Sequence, residues 1–208
     1  YRDANVELLI HQTPPTLYDD TAVAQEIQQI LGGPITFYLA QPLDELDLEP
    51  VVLPQETLAS WLRVEVYEEA DGAFRQEIIV DENAVRHWLR PYVDQLYRDP
   101  INARFYFDDA TRELVLVSPH VNGRQLNLDS TVEQFMSQVR TPNRSVPFVM
   151  EEIVPVVHAD ASAAELGITE LITETTTWFY GSTDARKHNI ARAAANFFGI
   201  VVAPGEEF

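Results

Sequence analysis

The sequence of 208 residues contains no cysteine, and basic residues are scarce in it. Without cysteine, the chain has no disulfide, no thiolate metal ligand and no cysteine nucleophile. Lysine and arginine together number 14, against 33 aspartates and glutamates, so the formal net charge is −19. A charge of this sign repels phosphate backbones and anionic lipid headgroups, so we expect no nucleic acid and no membrane contact within this segment.

Long apolar runs are also missing, since the longest ones, such as residues 6–10, fall far short of a membrane span. The chain opens on Tyr1 and not on methionine. We interpret it as a segment of a longer protein whose signal peptide or anchoring helix lies upstream. Apolar residues make up 46% of the chain and charged residues 23%, which is typical of a globular protein with one or two domains.

Several stretches place apolar residues at the spacing of one helix face. They predict helices near residues 21–31, 54–62, 85–96, 130–139 and 184–198, with a short one over 161–166. Pro91 is expected to kink or split the third helix, and Asp129 or Ser130 to cap the fourth. The inward stripe of the last long helix is predicted to be Ile190, Ala193, Ala194, Phe197 and Phe198.

Alternating apolar residues predict strands near residues 35–39, 64–66, 77–80, 103–107, 113–117 and 146–150. Two hairpins follow from a turn at residues 71–72 and from the polar loop 108–112, and Asn122-Gly123 predicts a further turn. Helices and strands mix irregularly, without regular strand-helix-strand alternation. We therefore predict an α+β fold of mixed helices and antiparallel hairpins.

A shift of 140 residues aligns the sequence with itself without a gap. Pro15 then falls on Pro155 and Asp20 on Asp160, and residues 35–39 fall on the strand-like residues 175–179. We interpret this echo as one repeat-like unit plus the start of a second. The predicted division is a tail of a preceding similar unit (1–20), an α+β unit (21–145) and a C-terminal segment (146–208).

Catalytic and metal-binding patterns find no support in the sequence. The five histidines are scattered without metal-ligand spacing, and neither a Gly-x-Ser-x-Gly nor a Ser-x-x-Lys motif occurs. Adjacent acids such as Glu151-Glu152 point to opposite faces of a strand, so they favour a solvated surface over a glycosidase pair. We predict no catalytic residue, no metal and no cofactor.

Four short motifs in order resemble the beginning of the VanW-like family. They occupy residues 165–172, 175–182, 186–190 and 201–208, and include Thr-Thr-Thr-Trp-Phe-Tyr-Gly-Ser and Arg-Lys-His-Asn-Ile. The resemblance implies that residues 146–208 are the N-terminal segment of a VanW-like domain. That family continues with a glycine-rich stretch containing cysteine and later a histidine, and neither follows here.

The preceding stretch is similar to the peptidoglycan-binding domain that precedes VanW-like and L,D-transpeptidase domains in bacterial surface proteins. The matching residues are 99–107 (Asp-Pro-Ile-Asn-Ala-Arg-Phe-Tyr-Phe), 123–129 (Gly-Arg-Gln-Leu-Asn-Leu-Asp) and the helix 132–139. This resemblance implies an extracellular location on the cell-wall side of the membrane. It also implies peptidoglycan or another cell-wall glycan as the partner.

Two groups of residues are candidates for ligand binding. Arg186, His188 and Asn189 lie in the motif that resembles the VanW-like family, although polar residues at a helix start also tie down the preceding loop. Tyr106 lies opposite the apolar face of its strand, as Tyr38 and Tyr67 do. Such a ring can stack on a sugar or pack on a neighbouring strand.

The leading functional hypothesis is a non-catalytic module that binds the cell wall or acts as a spacer there. One alternative is the non-catalytic part of a wall-modifying enzyme whose active site lies beyond Phe208. Another is a protein-interaction module, for which an exposed apolar patch would be the structural sign.

Overall fold

The computed structural model describes residues 21–43, 46–70, 72–203, 205 and 207. Within these residues it has helices and small sheets in which most strand pairs are antiparallel, so the α+β prediction is confirmed. The predicted tail of a preceding unit, residues 1–20, lies outside the described residues. No helix in the described ranges is long and apolar enough to span a membrane.

The helices are α1 (Thr21–Ile30), α2 (Gln55–Ser60), α3 (Glu82–Leu96), α4 (Leu128–Gln138) and α5 (Asp184–Phe197). The strands are β1 (Ile35–Leu39), β2 (Val51–Leu53), β3 (Leu62–Glu68), β4 (Phe74–Val80), β5 (Arg104–Asp108), β6 (Glu113–Ser118), β7 (Gly123–Leu126), β8 (Ser145–Phe148) and β9 (Met150–Ile153). One sheet has the order β2-β1-β8, with β1 antiparallel to β2 and parallel to β8. Three antiparallel pairs complete the topology: β3–β4, β5–β6 and β7–β9.

Phe37 lies at the centre of the main core and is fully buried. Its ring stacks on Phe135 of α4 at a centroid distance of 6.0 Å, and lies 5.6 Å from Phe148 and 5.4 Å from Trp88. Trp61 and Trp88 are partly buried against this cluster. The main core therefore joins the central sheet to α3 and α4.

Helix α3 is continuous through Pro91, so of the two predicted effects, a kink or a split, the split does not occur. Pro91 lies on the exposed face, and the buried stripe of Val85, Leu89 and Leu96 runs along the other side. Packing of that stripe offsets the hydrogen bond that proline removes. The Asp81 carboxylate caps the helix by accepting from the amides of Asn83 and Ala84.

Helix α4 is capped by Asn127, and not by Asp129 or Ser130 as predicted. The Asn127 side chain accepts from the Ser130 amide at 2.8 Å. The predicted strand over residues 146–150 is also divided, because the Val149 amide donates to Thr131 Oγ1 at 3.0 Å. The carbonyl of Val149 accepts from the Asn127 amide, so both backbone groups of Val149 are tied to the start of α4.

A second, smaller cluster joins the β5–β6 hairpin to the residues after β9. It is built on Ala103, Phe105, Val157 and Ala203. The Ala103 amide donates to the Val157 carbonyl at 2.7 Å, and the Phe105 amide to the Gly199 carbonyl at 2.9 Å. These contacts hold the C-terminal segment against β5.

Helix α5 has the predicted bounds within one residue, but its predicted inward stripe is wrong. No residue of α5 is buried, and Phe197 and Phe198 are 61% and 57% exposed. Residues 161–166 form turns and not a helix, and residues 175–179 form no strand. The internal echo therefore does not reproduce α1 and β1 in the C-terminal segment.

Candidate functional site

A polar groove of about 420 Å³ opens where β7 and β9 meet the chain after α3. Its size is that of an ordinary ligand site. It is lined by Gln41, Pro42, Leu43, Arg98, Gly123, Arg124, Met150, Glu151 and Glu152. A second, more apolar depression adjoins it through Pro42 and Leu43, and has Tyr38 on its wall.

Three charged residues of the groove stand in one row across neighbouring backbone segments. Arg98 forms an antiparallel bridge with Arg124, with both backbone hydrogen bonds at 3.0 Å. Arg124 is in turn the partner of Glu152 in the β7–β9 register. Residues opposite one another in antiparallel pairs point to the same face, so two cations and one carboxylate lie side by side.

Gly123 sets how closely the two arginine-bearing segments approach. A Cβ at this position would lie 2.6 Å from the Pro100 nitrogen and 2.7 Å from the Arg98 carbonyl oxygen. Only glycine allows the backbones to come this close. The predicted turn at Asn122-Gly123 is wrong, because Gly123 begins β7.

The guanidinium of Arg124 is held from its inner side. Its Nε donates to the carbonyl oxygen of Leu96, at the end of α3, over 3.2 Å. The neighbouring Arg98 donates from Nη2 to the Asn122 carbonyl at 2.7 Å. Within the described ranges Arg124 makes no ion pair, so its terminal nitrogens are available to a ligand.

The carboxylates beside the groove are held by side-chain amides. Glu152 Oε1 accepts from Asn122 Nδ2. On the opposite face of β9, Glu151 accepts from Gln125 Nε2 at 3.0 Å and from Asn127 Nδ2. The two adjacent acids therefore face different neighbours and do not form a pair that could share one reacting bond.

The positive charge of Arg86, by contrast, is already neutralised by two carboxylates. It pairs with Asp129 of α4 and, at 2.8 Å, with Glu82 one turn earlier in α3. Hydrogen bonds with Asp129 and then Glu82 raise the pKa of Arg86 above its ordinary value. The depression around Arg86 therefore offers a ligand no uncommitted cation.

Three of the nine residues that line the groove, Arg98, Gly123 and Arg124, lie in a stretch that matches a family model. Residues 51–146 match the family model described as "Putative peptidoglycan binding domain". We call residues 51–146 the matched unit. No curated protein matches the chain, and no solved structure matches it either.

The matched unit runs from β2 into β8 and contains both arginines of the groove, while Glu152 follows it by a few residues. It falls almost entirely inside the unit predicted for residues 21–145, and that division stays a prediction. The match does not reach the four motifs of the C-terminal segment. The resemblance to the VanW-like family therefore also stays a prediction.

The predicted site residues do not come together. Arg186, His188 and Asn189 are exposed at the start of α5, where Thr183 Oγ1 accepts from the Arg186 amide at 3.4 Å. The other end of α5, about 15 Å away at the helical rise, contacts β5 through Arg104. None of the three lines the groove.

Tyr106 lies in the matched unit, on the outer face of β5. It is 48% exposed opposite Val115, which is 47% exposed. The predicted exposure of Tyr106, Tyr67 and Tyr38 is confirmed, at 48%, 41% and 37%. Of these rings, Tyr38 adjoins the groove and Tyr106 does not line it.

Sequence reasoning missed Arg98, Arg124 and Glu152. One signal was present in the sequence. Arg124 and Leu126 are two residues apart in a strand and therefore lie on the same face, and Leu126 is 5% exposed. A charged residue on such an inward face indicates a specific partner or a functional role. The backbone bridge that places Arg98 beside Arg124 has no signal in the local sequence pattern.

Two of the scattered histidines do meet in the fold. The rings of His120 and His158 lie 6.3 Å apart, edge to face, and His120 Nδ1 accepts from the Ala159 amide at 2.9 Å. No group of three histidines or acids suited to a metal ion occurs among the described residues. The pair connects the loop before β7 to the segment after β9.

Proposed function

We propose that this chain is a non-catalytic module of a bacterial surface protein that binds peptidoglycan through its groove. The match of residues 51–146 to a peptidoglycan-binding family model carries the proposal. The location outside the cell follows from the same family and from the resemblance of the C-terminal segment to the VanW-like family. The module would hold the rest of the protein at the wall.

The groove supports binding because it is open and polar. Its arginine, glutamate and glutamine side chains offer both donors and acceptors to a hydrated polymer. An open groove admits a strand of a network, whereas an enclosed pocket would admit only a chain end. The apolar depression beside it adds the Tyr38 ring, which can stack on a sugar face.

Binding without catalysis fits the arrangement of the acids. Hydrolysis of a glycosidic bond needs two carboxyl groups facing the same bond, roughly 5 to 10 Å apart. Glu151 and Glu152 point to opposite faces of β9 and are each held by amide donors. We therefore propose that the groove positions the wall polymer and does not cleave it.

A second candidate function, protein interaction, is favoured by the exposed apolar side chains of the C-terminal segment. Ile172 is 92% exposed, and the Trp178 and Tyr180 rings stack on each other while 72% and 87% exposed. Exposed apolar patches of this kind mark contact surfaces. On this reading the C-terminal segment contacts another protein while the groove binds the wall.

Sedimentation with purified peptidoglycan sacculi tests the proposal. The full chain is expected to pellet with sacculi at low and at high salt, while an unrelated protein of similar negative charge stays in solution. Soluble fragments should not be released over the same period. If the chain pellets at neither salt concentration, wall binding is excluded. Steady release of fragments would show that the chain is an enzyme.

A further inference from the structure

The groove brings charges of both signs together in a strongly acidic chain. Among residues that total a net charge of −19, the row across β7 and β9 has two arginines and one glutamate. Arg124, whose guanidinium makes no ion pair among the described residues, favours a ligand that carries an anionic group. The adjacent glutamate favours a ligand that also carries a cation.

Arg124 is built to receive a carboxylate. Its backbone is fixed by both hydrogen bonds to Arg98, and its Nε is anchored on the Leu96 carbonyl. The guanidinium is planar and rigid, so anchoring at Nε orients the terminal nitrogens before a ligand arrives. A held guanidinium binds a carboxylate with strong, charge-assisted hydrogen bonds and loses little entropy on binding.

Glu152 stands next to this cation at the ordinary spacing of opposite residues in an antiparallel pair, about 5 Å between Cβ atoms. The Asn122 amide holds one of its oxygens. Each carboxylate oxygen has a second lone pair, so Glu152 can also accept from an ammonium group. The row thus offers a place for an anion and a place for a cation, side by side.

We propose that the groove recognises the stem peptide of peptidoglycan and not its glycan strand, an inference that rests on the proposed function. In intact peptidoglycan the amino sugars are acetylated and the lactyl carboxyl is used in the amide bond to the peptide. Free carboxylates and amines therefore belong to the stem peptides. Arg124 binds a stem carboxylate, and Glu152 binds an amine of the same or a neighbouring stem.

Titration calorimetry of the full chain with three defined compounds tests this inference. The compounds are a disaccharide bearing a tetrapeptide stem, the same compound with its carboxylates amidated, and a tetrasaccharide of N-acetylglucosamine. The first is expected to bind, and amidation should lower the affinity about tenfold or more, as for a lost charged hydrogen bond. The tetrasaccharide should bind at least as weakly as the amidated compound.

Matched variants locate the effect. Arg124→Gln should lower the affinity for the stem-bearing disaccharide about tenfold or more, while Arg90→Gln, at an exposed position on α3, should leave it unchanged. Glu152→Gln should weaken binding only of stems with a free amine. Thermal melting of each variant checks the fold, and the amidated compound tests the inference on the unmodified protein.

The outcomes separate this inference from the function on which it rests. Retention on sacculi together with equal affinity for all three compounds would leave wall binding intact and overturn recognition of the stem peptide. Equal loss in Arg124→Gln and Arg90→Gln would overturn the role of Arg124. Absence of retention on sacculi would overturn the proposed function and the inference together.

Discussion

Gly123 lies against Pro100 so closely that a Cβ on the glycine would be 2.6 Å from the proline nitrogen. This contact brings β7 beside the chain that follows α3. It also places Arg124, the residue after Gly123, next to Arg98, with which Arg124 forms an antiparallel bridge. The approach of two backbones thus creates the charged row of the groove.

Gly123→Ala should therefore damage both stability and binding. The backbone atoms of Arg98 and Pro100 cannot move aside without shifting β7, and overpacking of this kind costs about 1–3 kcal/mol. Urea unfolding measures the loss, and sacculus retention should fall with it. Gly33→Ala is the matched control, since nothing lies within 4 Å of a Cβ there. Equal stability of the two variants would show that the close contact is not needed.

The sequence was most informative where structure depends on neighbours along the chain. Helix α4 was predicted to within two residues at each end, and it buries Val132 and Phe135, because helical periodicity is a local property. The β5–β6 hairpin was predicted for the same reason, with a bulge at Arg104 and Phe105 that no local signal announced.

The groove was not predictable because its parts are distant in the sequence. Arg98 and Glu152 are brought to Arg124 by a bridge and by the register of β7 with β9, and neither follows from composition or periodicity. The failed prediction for α5 has a related cause. Its apolar spacing describes one face of a helix but does not supply the surface that would cover it, and no residue of α5 is buried.

Phe37→Ala tests the main core. The ring is fully buried and contacts three other aromatic rings, so its removal should cost about 3–5 kcal/mol of unfolding free energy. Tryptophan fluorescence reports the transition, because Trp88 lies 5.4 Å from Phe37. The neighbouring Tyr38→Ala changes a residue that is 37% exposed and should cost about 1 kcal/mol or less. A similar loss in both variants would contradict the assignment of Phe37 to the centre of the core.

Glu165→Gln tests a pH-dependent contact in the C-terminal segment. The backbone amide of Ser162 and then its hydroxyl donate to Glu165 Oε2, at 2.8 and 2.9 Å, and hold the pKa of this carboxyl below its ordinary value. A carboxyl whose pKa is lower in the folded than in the unfolded state stabilises the fold at pH values above its unfolded-state pKa. This stabilisation is lost as the pH falls through the folded-state pKa. Glu165→Gln should therefore be less stable than the wild type at about pH 7, and the difference should be smaller at about pH 3.

Melting temperatures of both proteins at the two pH values measure the effect. The same difference at both would show that the contact does not depend on the charge of Glu165. Ser162→Ala provides a further check, because removing the hydroxyl should reduce the effect of Glu165→Gln.

Hydrogen exchange should distinguish α4 from α5, which lies in the C-terminal segment. Helix α4 buries Thr131, Val132 and Phe135, whereas α5 buries nothing. Amides of α5 should exchange at least about tenfold faster than those of α4, since exchange tracks local opening. Arg104→Gln should accelerate exchange in α5 further, because Arg104 donates to the carbonyls of Ala195 and Phe198. Equal protection of α4 and α5 would contradict the exposed position of α5.

The most direct test of the account is a nuclear magnetic resonance titration of the full chain with a disaccharide bearing a stem peptide. Binding in the groove predicts that the amide shifts of Arg98, residues 122–126 and residues 150–152 change together and saturate. The amides of α5 and of Tyr106 should not change. Shifts centred on Arg186, His188 and Asn189, or no shifts at high ligand concentration, would contradict the groove as the binding site.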